Sequence, residues 1–319
     1  MTMMDVGLTI DHIARRAEQF SGVEIVSRRP DRSLHRSTYG AMITRARKLA
    51  RALIAGGIRK GDRVATLMWN HVEHLETYFA IPLAGGVTHT LNLRLAPSEI
   101  AFIATHGRDR IVIVDDVLLP LLAKVIAAGA KFERIIVVGK ADDHESYEAL
   151  LASARDDIAL PVLAENDPLG TCYTSGTTGD PKGVVYTHRS TVLHTLVAAL
   201  PDQLGLVRAD TLLPVVPMFH VNAWGLPFIA TMVGAKLVFP GPFLDPPSLL
   251  DLMASERVTF AAGVPTIWIG IREALDAAPG KWQLLPNVQM IVGGAAVPEK
   301  LIRDFDRLGL RIVHAWGMT

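Results

Sequence analysis

The stretch Tyr173-Thr-Ser-Gly-Thr-Thr-Gly-Asp-Pro-Lys-Gly183 is the most informative part of this sequence. It contains three glycines, four hydroxyl side chains from Thr174 to Thr178 and a single lysine, Lys182. Glycines let backbone N–H groups turn toward an anion, and hydroxyl groups add hydrogen-bond donors or hold a metal ion. The lysine adds a mobile point charge. The composition of this loop therefore predicts a triphosphate site.

The loop is not a Walker A motif. That motif ends in Gly-Lys-Ser/Thr, whereas Asp180-Pro181 separate Gly179 from Lys182 here. A flexible Gly/Ser/Thr linker is the plain alternative. The single lysine at a defined place and the Val184-Val-Tyr-Thr-His-Arg189 segment that follows favour the phosphate loop.

The composition restricts the class of protein. Half of the 319 residues are hydrophobic, and 32 Lys and Arg balance 32 Asp and Glu, which argues against a general nucleic-acid or anionic-membrane binder. The only cysteine, Cys172, leaves no intramolecular disulfide and no Cys-based zinc site. Its apolar surroundings predict a packed core thiol rather than a nucleophile.

No secretory signal or membrane span is predicted. The charges in Met1–Arg15 interrupt short apolar runs, and the richest apolar stretch, Ile111–Ala128, contains Asp115, Asp116 and Lys124. A membrane span needs about 18 uninterrupted apolar residues. A cytoplasmic protein is the expectation.

Short apolar runs alternate with longer amphipathic stretches, which predicts an α/β fold. Proline in Pro97-Ser-Glu-Ile100 suits the first turn of a helix. Polar segments with prolines suggest a boundary near residue 165, giving a first α/β subdomain at 1–165 and a second at 166–319. The predicted strands are 63–68, 87–91, 110–114, 134–138, 184–186, 211–216, 235–239, 258–262 and 288–292.

The loop from Thr174 to Gly183 resembles the phosphate loop of the adenylate-forming superfamily, which includes acyl-CoA synthetases, luciferases and adenylation domains. The resemblance runs from about residue 10 to Thr319 and is closest to medium- and long-chain fatty-acid–CoA ligases. It implies two stacked, doubly wound αβαβα subdomains of the large N-terminal domain, with the C-terminal domain absent. It also implies ATP-dependent formation of an acyl-adenylate, followed by transfer of the acyl group to coenzyme A.

The resemblance assigns the phosphate contacts and the cofactors, which are ATP, Mg²⁺ and CoA as co-substrate. Lys182 would neutralise charge on the leaving pyrophosphate. A hydroxyl of the loop, Thr174, and a glutamate expected after Thr319 would contact the metal ion. The residues expected to surround the phosphates are Thr174, Ser175, Gly176, Thr177, Thr178, Gly179 and Lys182.

The segment Pro217-Met-Phe-His-Val-Asn-Ala-Trp224 resembles the superfamily motif before the helix that lines the acyl pocket. His220 stands where amino-acid-activating relatives carry aspartate, so an acid without an amino group is favoured; a packed or surface histidine is the alternative. Trp224 resembles the gate to the acyl tunnel in long-chain ligases, with a core aromatic as the alternative. It would share a face with His220 if the segment were helical.

Two glycine-containing runs, Gly263-Val-Pro-Thr266 and Gly293-Gly-Ala-Ala296, are expected at the carboxyl ends of strands, where ligands bind in open α/β sheets. In this order, the two runs resemble the segments of the superfamily that line the acyl pocket and the adenine pocket. Trp316 would stack on adenine, and Thr319 would contact the α-phosphate.

The resemblance thus implies three sets of site residues. The catalytic residues are Lys182, His220 and Thr319. The remaining nucleotide contacts are Gly293, Gly294, Ala295, Trp316 and Gly317. The contacts with the acid are His220, Val221, Asn222, Trp224, Gly263, Val264, Pro265 and Gly294.

Other titratable residues carry no motif. The histidine pairs His71/His74 and His188/His194 lack metal-site spacing and are predicted to be exposed. Glu73, Glu76, Asp115 and Asp116 are predicted to be solvated surface or strand-end charges.

The superfamily pattern continues beyond Thr319 with a ribose-binding aspartate, a hinge and a mobile domain that carries a catalytic lysine. The leading hypothesis is therefore a fatty-acid–CoA ligase represented by its N-terminal domain. The alternative is a non-catalytic ATP- or acyl-binding protein, or one half of a split ligase. The expected partners are a medium- or long-chain fatty acid and a separate C-terminal half, and the amphipathic segment Met1–Gln19 is compatible with an arm exchanged in a homodimer.

Overall fold

Two seven-stranded sheets form the framework of the described chain, which comprises residue 3, residues 5–174 and residues 180–319 of this computed structural model. The strands are β1 Glu24–Arg28, β2 Leu34–Thr38, β3 Arg63–Leu67, β4 Val87–Thr90, β5 Asp109–Asp115, β6 Arg134–Val138, β7 Glu145–Ser146, β8 Pro168–Tyr173, β9 Gly183–Thr187, β10 Thr211–Pro214, β11 Lys236–Phe239, β12 Phe260–Gly263, β13 Gln289–Val292 and β14 Arg311–His314.

Helices connect most of these strands. They are α1 Ile10–Gln19, α2 Tyr39–Ala55, α3 Val72–Leu83, α4 Pro97–Gly107, α5 Leu119–Ala127, α6 Tyr147–Ala152, α7 His188–Ala198, α8 Leu226–Val233, α9 Pro246–Ser255, α10 Pro265–Ala277 and α11 Glu299–Arg307. Short 3₁₀ turns occur at Asp116–Leu118 and Val221–Gly225. The α/β fold class and the strand–helix alternation are confirmed.

Each sheet is parallel except for one edge strand. The first sheet has the order β7-β6-β5-β3-β4-β8-β9, and the second has the order β14-β13-β12-β10-β11-β1-β2. The antiparallel edges are β9 on β8 and β2 on β1. The two sheets therefore have the same plan, as expected for two doubly wound subdomains.

The two sheets do not divide the chain at residue 165. Strands β8 and β9 lie after that position, yet β8 pairs with β4 of the first sheet through Thr88 and Gly170. Strand β1 lies near the N-terminus, yet it pairs with β11 of the second sheet through Ile25 and Leu237. The reason is that backbone pairing and burial, rather than position along the chain, determine which sheet a strand joins.

A shared core lies between the sheets. One cluster of buried side chains includes Ile113 of the first sheet, Leu237 of the second sheet and residues of α1, α2, α3 and α8. A second cluster packs α9, α10 and α11 on the second sheet, and a third packs α4 and α5 on the first sheet. The result is a layered αβαβα arrangement in which the middle helices contact both sheets.

Helix α3 is buried along its whole length, which corrects the prediction of solvated charges at Glu73 and Glu76. Its N-cap His71 and its His74 are also buried, so the prediction of exposed histidines is wrong for both. Local sequence suggested a surface helix because polar residues are frequent in it, but packing between two sheets leaves it no solvated face.

Paired charges make this burial tolerable. His71 lies 2.9 Å from Glu73 through Nδ1 and 2.8 Å from Asp115 through Nε2. Burial opposes the charged imidazole, but the two carboxylates outweigh it and raise the pKa of His71 to about 10. Arg29 donates two hydrogen bonds to Glu73, at 2.8 and 2.6 Å.

Three other histidine and aspartate predictions have mixed outcomes. Asp115 ends β5, as a strand-end charge should, but it is buried rather than solvated. His188 is also buried, whereas His194 is exposed as predicted.

Burial and the nearby His71 lower the pKa of His74 to about 3, so this imidazole is neutral at physiological pH.

Among the described residues, no helix combines the length and apolar character that crossing a membrane requires. Within the same residues, no group of three or more His, Cys, Asp and Glu side chains is arranged to hold a metal ion. Cys172 is buried, as predicted, and burial raises the pKa of its thiol.

Candidate active site

The base of the predicted phosphate loop is formed by the paired ends of the antiparallel strands β8 and β9. Tyr173 of β8 pairs with Gly183 of β9. The N–H of Thr174 donates to the backbone oxygen of Lys182 at 3.0 Å, and the N–H of Lys182 donates to Oγ1 of Thr174 at 3.2 Å. The Lys182 side chain is exposed. The predicted phosphate contacts Ser175, Gly176, Thr177, Thr178 and Gly179 lie outside the described residues.

The aromatic side chain of Tyr173 packs against this base of the loop. The ring of Tyr173 lies where a side chain at Gly183 would stand, because a Cβ there would fall 3.1 Å from its Cε2. The Tyr173 hydroxyl lies 2.6 Å from Nδ1 of His106. The ring also packs against His89, whose Nδ1 lies 2.7 Å from the Asp109 carboxylate. Tyr173, at one end of the loop, is thus held against α4 and β4.

Asn70 fixes the start of the predicted acyl motif. Its buried amide nitrogen donates to the backbone oxygens of Pro214 and Val216 at 2.9 Å each. Its oxygen accepts from the N–H of Met218 at 2.7 Å. Asn70 follows β3 of the first sheet, whereas the motif follows β10 of the second sheet. One side chain therefore aligns the two sheets at this point.

The segment after His220 is a left-handed turn rather than a right-handed helix. Val221, Asn222, Ala223, Trp224 and Gly225 have φ values of 48°, 48°, 48°, 56° and 73°. The right-handed helix from which a shared face of His220 and Trp224 was expected does not form. Instead, the two side chains take part in different contacts.

His220 and Val221 meet the base of the phosphate loop. Together with Cys172, Tyr173 and Thr174 they line a cavity of about 30 Å³. The other lining residues are Thr90, Asn92, Leu95, Ile103 and Phe219. The structure thus brings two separate sequence motifs to one cavity, at the carboxyl end of β8.

Trp224 meets the glycine-containing strand ends. A Cβ at Gly293 would lie 2.9 Å from Cη2 of Trp224, so the ring and the glycine backbone are in contact. The N–H of Gly293 donates to the backbone oxygen of Gly263 at 3.4 Å. Gly294 has φ 86° and lies beside Val264. Gly263 ends β12 and Gly293 follows β13, as the sequence predicts.

The last predicted nucleotide contacts lie at the surface. Ala295 and Gly317 are exposed, Thr319 is half-buried, and Trp316 is 86% exposed. Pro265, a predicted acid contact, is buried at the first position of α10. The stacking of Trp316 on adenine and the contact of Thr319 with the α-phosphate stay predictions.

The pKa of His220 is lowered by partial burial and by the positive charge of Arg94. The imidazole is therefore neutral near pH 7, although part of it is exposed. A neutral ring beside the cavity can donate a hydrogen bond to a carboxylate without forming a fixed ion pair.

Sequence reasoning missed the side chains that hold the acyl motif, Asn70 and Tyr78. Tyr78 of α3 donates its hydroxyl proton to the backbone oxygen of Met218. A polar residue soon after the end of the buried strand β3 was a usable signal for Asn70, because strand ends carry function in α/β sheets. Tyr78 had no such signal, since its contact joins positions that are 140 residues apart.

A family model described as AMP-binding enzyme matches residues 13–319. The chain belongs to the AMP-binding enzyme family. This match covers both sheets, the loop base and the 217–224 segment, which is the set of features described above.

Curated members of this family match nearly the whole chain. A medium-chain-fatty-acid–CoA ligase of Ectopseudomonas oleovorans is 44% identical over 99% of this chain and 60% of its own length. A long-chain-fatty-acid–CoA ligase of Thermus thermophilus is 45% identical over 100% of this chain and 58% of its own length. The chain thus spans about 60% of the length of these relatives.

The fold is similar to that of solved N-terminal domains. The N-terminal domain of FACL13 from Mycobacterium tuberculosis, solved with an inhibitor bound, superposes with a TM-score of 0.84 at 30% identity. The comparison covers 97% of this chain and 76% of that domain. The two parallel-rich sheets are therefore those of the N-terminal domain of an adenylate-forming enzyme.

Proposed function

We propose that this chain is the nucleotide- and acid-binding domain of a fatty-acid–CoA ligase. The observation that carries the proposal is the shared cavity of Thr174 and His220, with Trp224 of the same segment placed on Gly293. The loop base, the acyl motif and the glycine-containing strand ends thus converge, although they are far apart in sequence. The fatty-acid ligases among its relatives support this choice of substrate.

The proposed reaction has two steps. An oxygen of the acid attacks the α-phosphorus of ATP, the bond to the bridging oxygen breaks, and pyrophosphate leaves with the electron pair. The thiol of CoA then loses its proton and attacks the acyl carbon, and AMP leaves as the C–O bond breaks. Both steps move negative charge onto oxygen atoms, so positioned donors and cations supply the catalysis.

Residues of this chain would take distinct parts in the first step. Lys182, exposed at the loop base, would reach the leaving pyrophosphate. The neutral His220 would border the acid carboxylate, and Thr319 would contact the α-phosphate. Trp316, exposed at the end of the chain, would cover the adenine.

Mg²⁺ would neutralise phosphate charge when bound, and it usually retains several waters and few protein ligands. Thr174 fits as one such ligand. Its hydroxyl oxygen accepts a hydrogen bond from the N–H of Lys182 and keeps a second lone pair.

The proposed substrate is a medium- or long-chain fatty acid. Each methylene group of the chain that is buried would contribute about 0.8 kcal/mol to the binding free energy. The cytoplasmic location, the homodimer and a separate C-terminal half stay proposals.

The decisive experiment is acid-dependent exchange of radiolabelled pyrophosphate into ATP with magnesium, using butyrate, decanoate and palmitate. We expect exchange with decanoate or palmitate, and its loss in Lys182→Ala. ATP binding without exchange would favour the alternative of a binding domain that needs a second chain. A folded protein that binds neither ATP nor any acid would contradict the proposal.

A further inference from the structure

The turn Val221–Gly225 places five successive residues in the left-handed region, and four of them are not glycine. L-residues adopt this conformation at a cost in free energy, because Cβ approaches the carbonyl oxygen of the same residue. The cost is greatest for a β-branched residue such as Val221. Such a turn persists only where its surroundings impose it, and strained segments of this kind concentrate at functional sites.

The side chain of Asn222 connects this turn to the other sheet. Its Oδ1 accepts a hydrogen bond from Sγ of Cys172 at 3.3 Å and lies 3.2 Å from the hydroxyl of Tyr78. Cys172 belongs to β8, the strand that leads into the phosphate loop, and Tyr78 belongs to the buried helix α3. Asn222 therefore lies against β8 and α3 rather than forming part of the cavity wall.

The turn connects two functional side chains that contact different parts of the site. His220 lies on the cavity beside Thr174, whereas Trp224 lies on Gly293. Gly225 closes the turn beside the ring of His194, because a Cβ there would fall 2.8 Å from that ring.

We propose that Asn222 is a positioning residue. Through Cys172 and Tyr78 it holds the left-handed turn that places His220 at the base of the phosphate loop and Trp224 at Gly293. It thereby couples the strand entering the phosphate loop to the segment that binds the acid. The ligand roles of His220 and Trp224 rest on the proposed function, but the mechanical role of Asn222 does not.

The first test needs no ligand. Trp224 emission is obtained as the difference between each variant and the same variant carrying Trp224→Phe. We expect Asn222→Ala to raise acrylamide quenching of this emission about twofold, since the ring leaves its contact with Gly293. Asn222→Asp keeps an acceptor and a residue tolerant of the left-handed region, so it should preserve the wild-type quenching.

Asn287→Ala is the matched control. Asn287 is an exposed asparagine with φ 58°, in the loop before β13. This control removes an asparagine side chain from another residue with a positive φ, so Trp224 emission should not change. If Asn222→Ala fails to fold, Tyr78→Phe removes one hydroxyl from the other side and should raise the quenching in the same direction.

The second test separates positioning from general destabilisation. AMP and a decanoyl sulfamoyl adenosine are titrated calorimetrically into wild type, Asn222→Ala, Asn222→Asp and Tyr78→Phe. We expect Asn222→Ala to lose about tenfold in affinity for the acyl probe while AMP affinity stays within about twofold. Asn222→Asp should restore the acyl affinity.

Unchanged Trp224 quenching in both Asn222→Ala and Tyr78→Phe would overturn the inference, as would an equal change in Asn287→Ala. An equal loss of affinity for AMP and the acyl probe would also overturn it, since that result indicates only a weakened fold. A wild-type chain that binds neither probe would count against the proposed function instead, and the quenching comparison would still decide the role of Asn222.

Discussion

The ring of Trp224 occupies the space that a side chain at Gly293 would need, because a Cβ there would lie 2.9 Å from Cη2 of the ring. Carbon atoms do not approach so closely without displacement. The glycine therefore permits the placement of Trp224, and the two positions depend on each other.

Gly293→Ala should displace the Trp224 ring and weaken binding of a decanoyl sulfamoyl adenosine by about tenfold, the effect of losing about 1.4 kcal/mol. Isothermal titration calorimetry measures this affinity. Gly22→Ala is the control, since no atom lies within 4 Å of a Cβ at Gly22. Equal affinity in Gly293→Ala and wild type would show that the ring contact is irrelevant to acid binding.

Lys182→Ala should weaken ATP binding at least about tenfold, because hydrogen bonds to charged groups contribute about 1.5–3 kcal/mol. The melting temperature should stay close to that of wild type, since the Lys182 side chain is exposed. Calorimetric titration with ATP and a thermal melt provide the two measurements. Lys140→Ala, at a side chain that is 83% exposed, controls for loss of one positive charge. Unfolding of Lys182→Ala would instead indicate a structural role for this lysine.

Trp224→Ala should change the preference among acyl sulfamoyl adenosines of increasing chain length, because the large ring borders the proposed acid path. The ratio of affinities for the butanoyl, decanoyl and hexadecanoyl probes is the quantity to compare. Trp282→Ala is the control, since Trp282 bonds instead to Asp251, on α9. The same ratios in wild type and Trp224→Ala would reject the gate.

Asn70→Ala should destabilise the fold by about 2–4 kcal/mol, because three buried hydrogen bonds are lost at about 1 kcal/mol each. Urea unfolding followed by circular dichroism measures this free energy. Asn92→Ala removes one acceptor that serves the N–H of Arg94 at an exposed site and should cost less than about 1 kcal/mol. Similar losses in the two variants would mean that Asn70 does not align the sheets.

Glu76 should make the free energy of unfolding depend on pH. Burial raises the pKa of Glu76 from its ordinary value of 4.5 to about 7. The Arg45 guanidinium favours the charged carboxylate, but it does not outweigh the effect of burial. The folded state therefore binds a proton more tightly than the unfolded state. The resulting stabilisation is fully present below pH 4.5 and is lost as the pH rises to about 7.

Urea unfolding of wild type and Glu76→Gln across this pH range tests the prediction, and the free energy of unfolding of wild type should fall relative to that of Glu76→Gln as the pH rises. Glu148→Gln is the control, because Glu148 bonds to the same Arg45 but is 64% exposed. It should keep the wild-type pH dependence. A Glu76→Gln protein with that same dependence would contradict the raised pKa.

Local sequence patterns predicted the α/β class and most strands and helices, because the periodicity of apolar residues reports which face of an element is buried. They also identified the loop base and the two glycine runs, since glycine is required where backbones approach closely. The helix beginning at Pro97 followed from the proline itself. These features depend on residues close together in the chain.

The tertiary structure decided what depends on distant residues. Strand β1 joins the second sheet because it pairs with β11, and α3 buries Glu73 and Glu76 because both sheets cover it. The left-handed turn at Val221–Gly225 opposes local preference and forms where Asn70, Tyr78 and Cys172 hold it. The sequence by itself determined the chemistry present at each motif. Long-range pairing and packing determined which motifs meet, because those contacts have no local period from which they could be read.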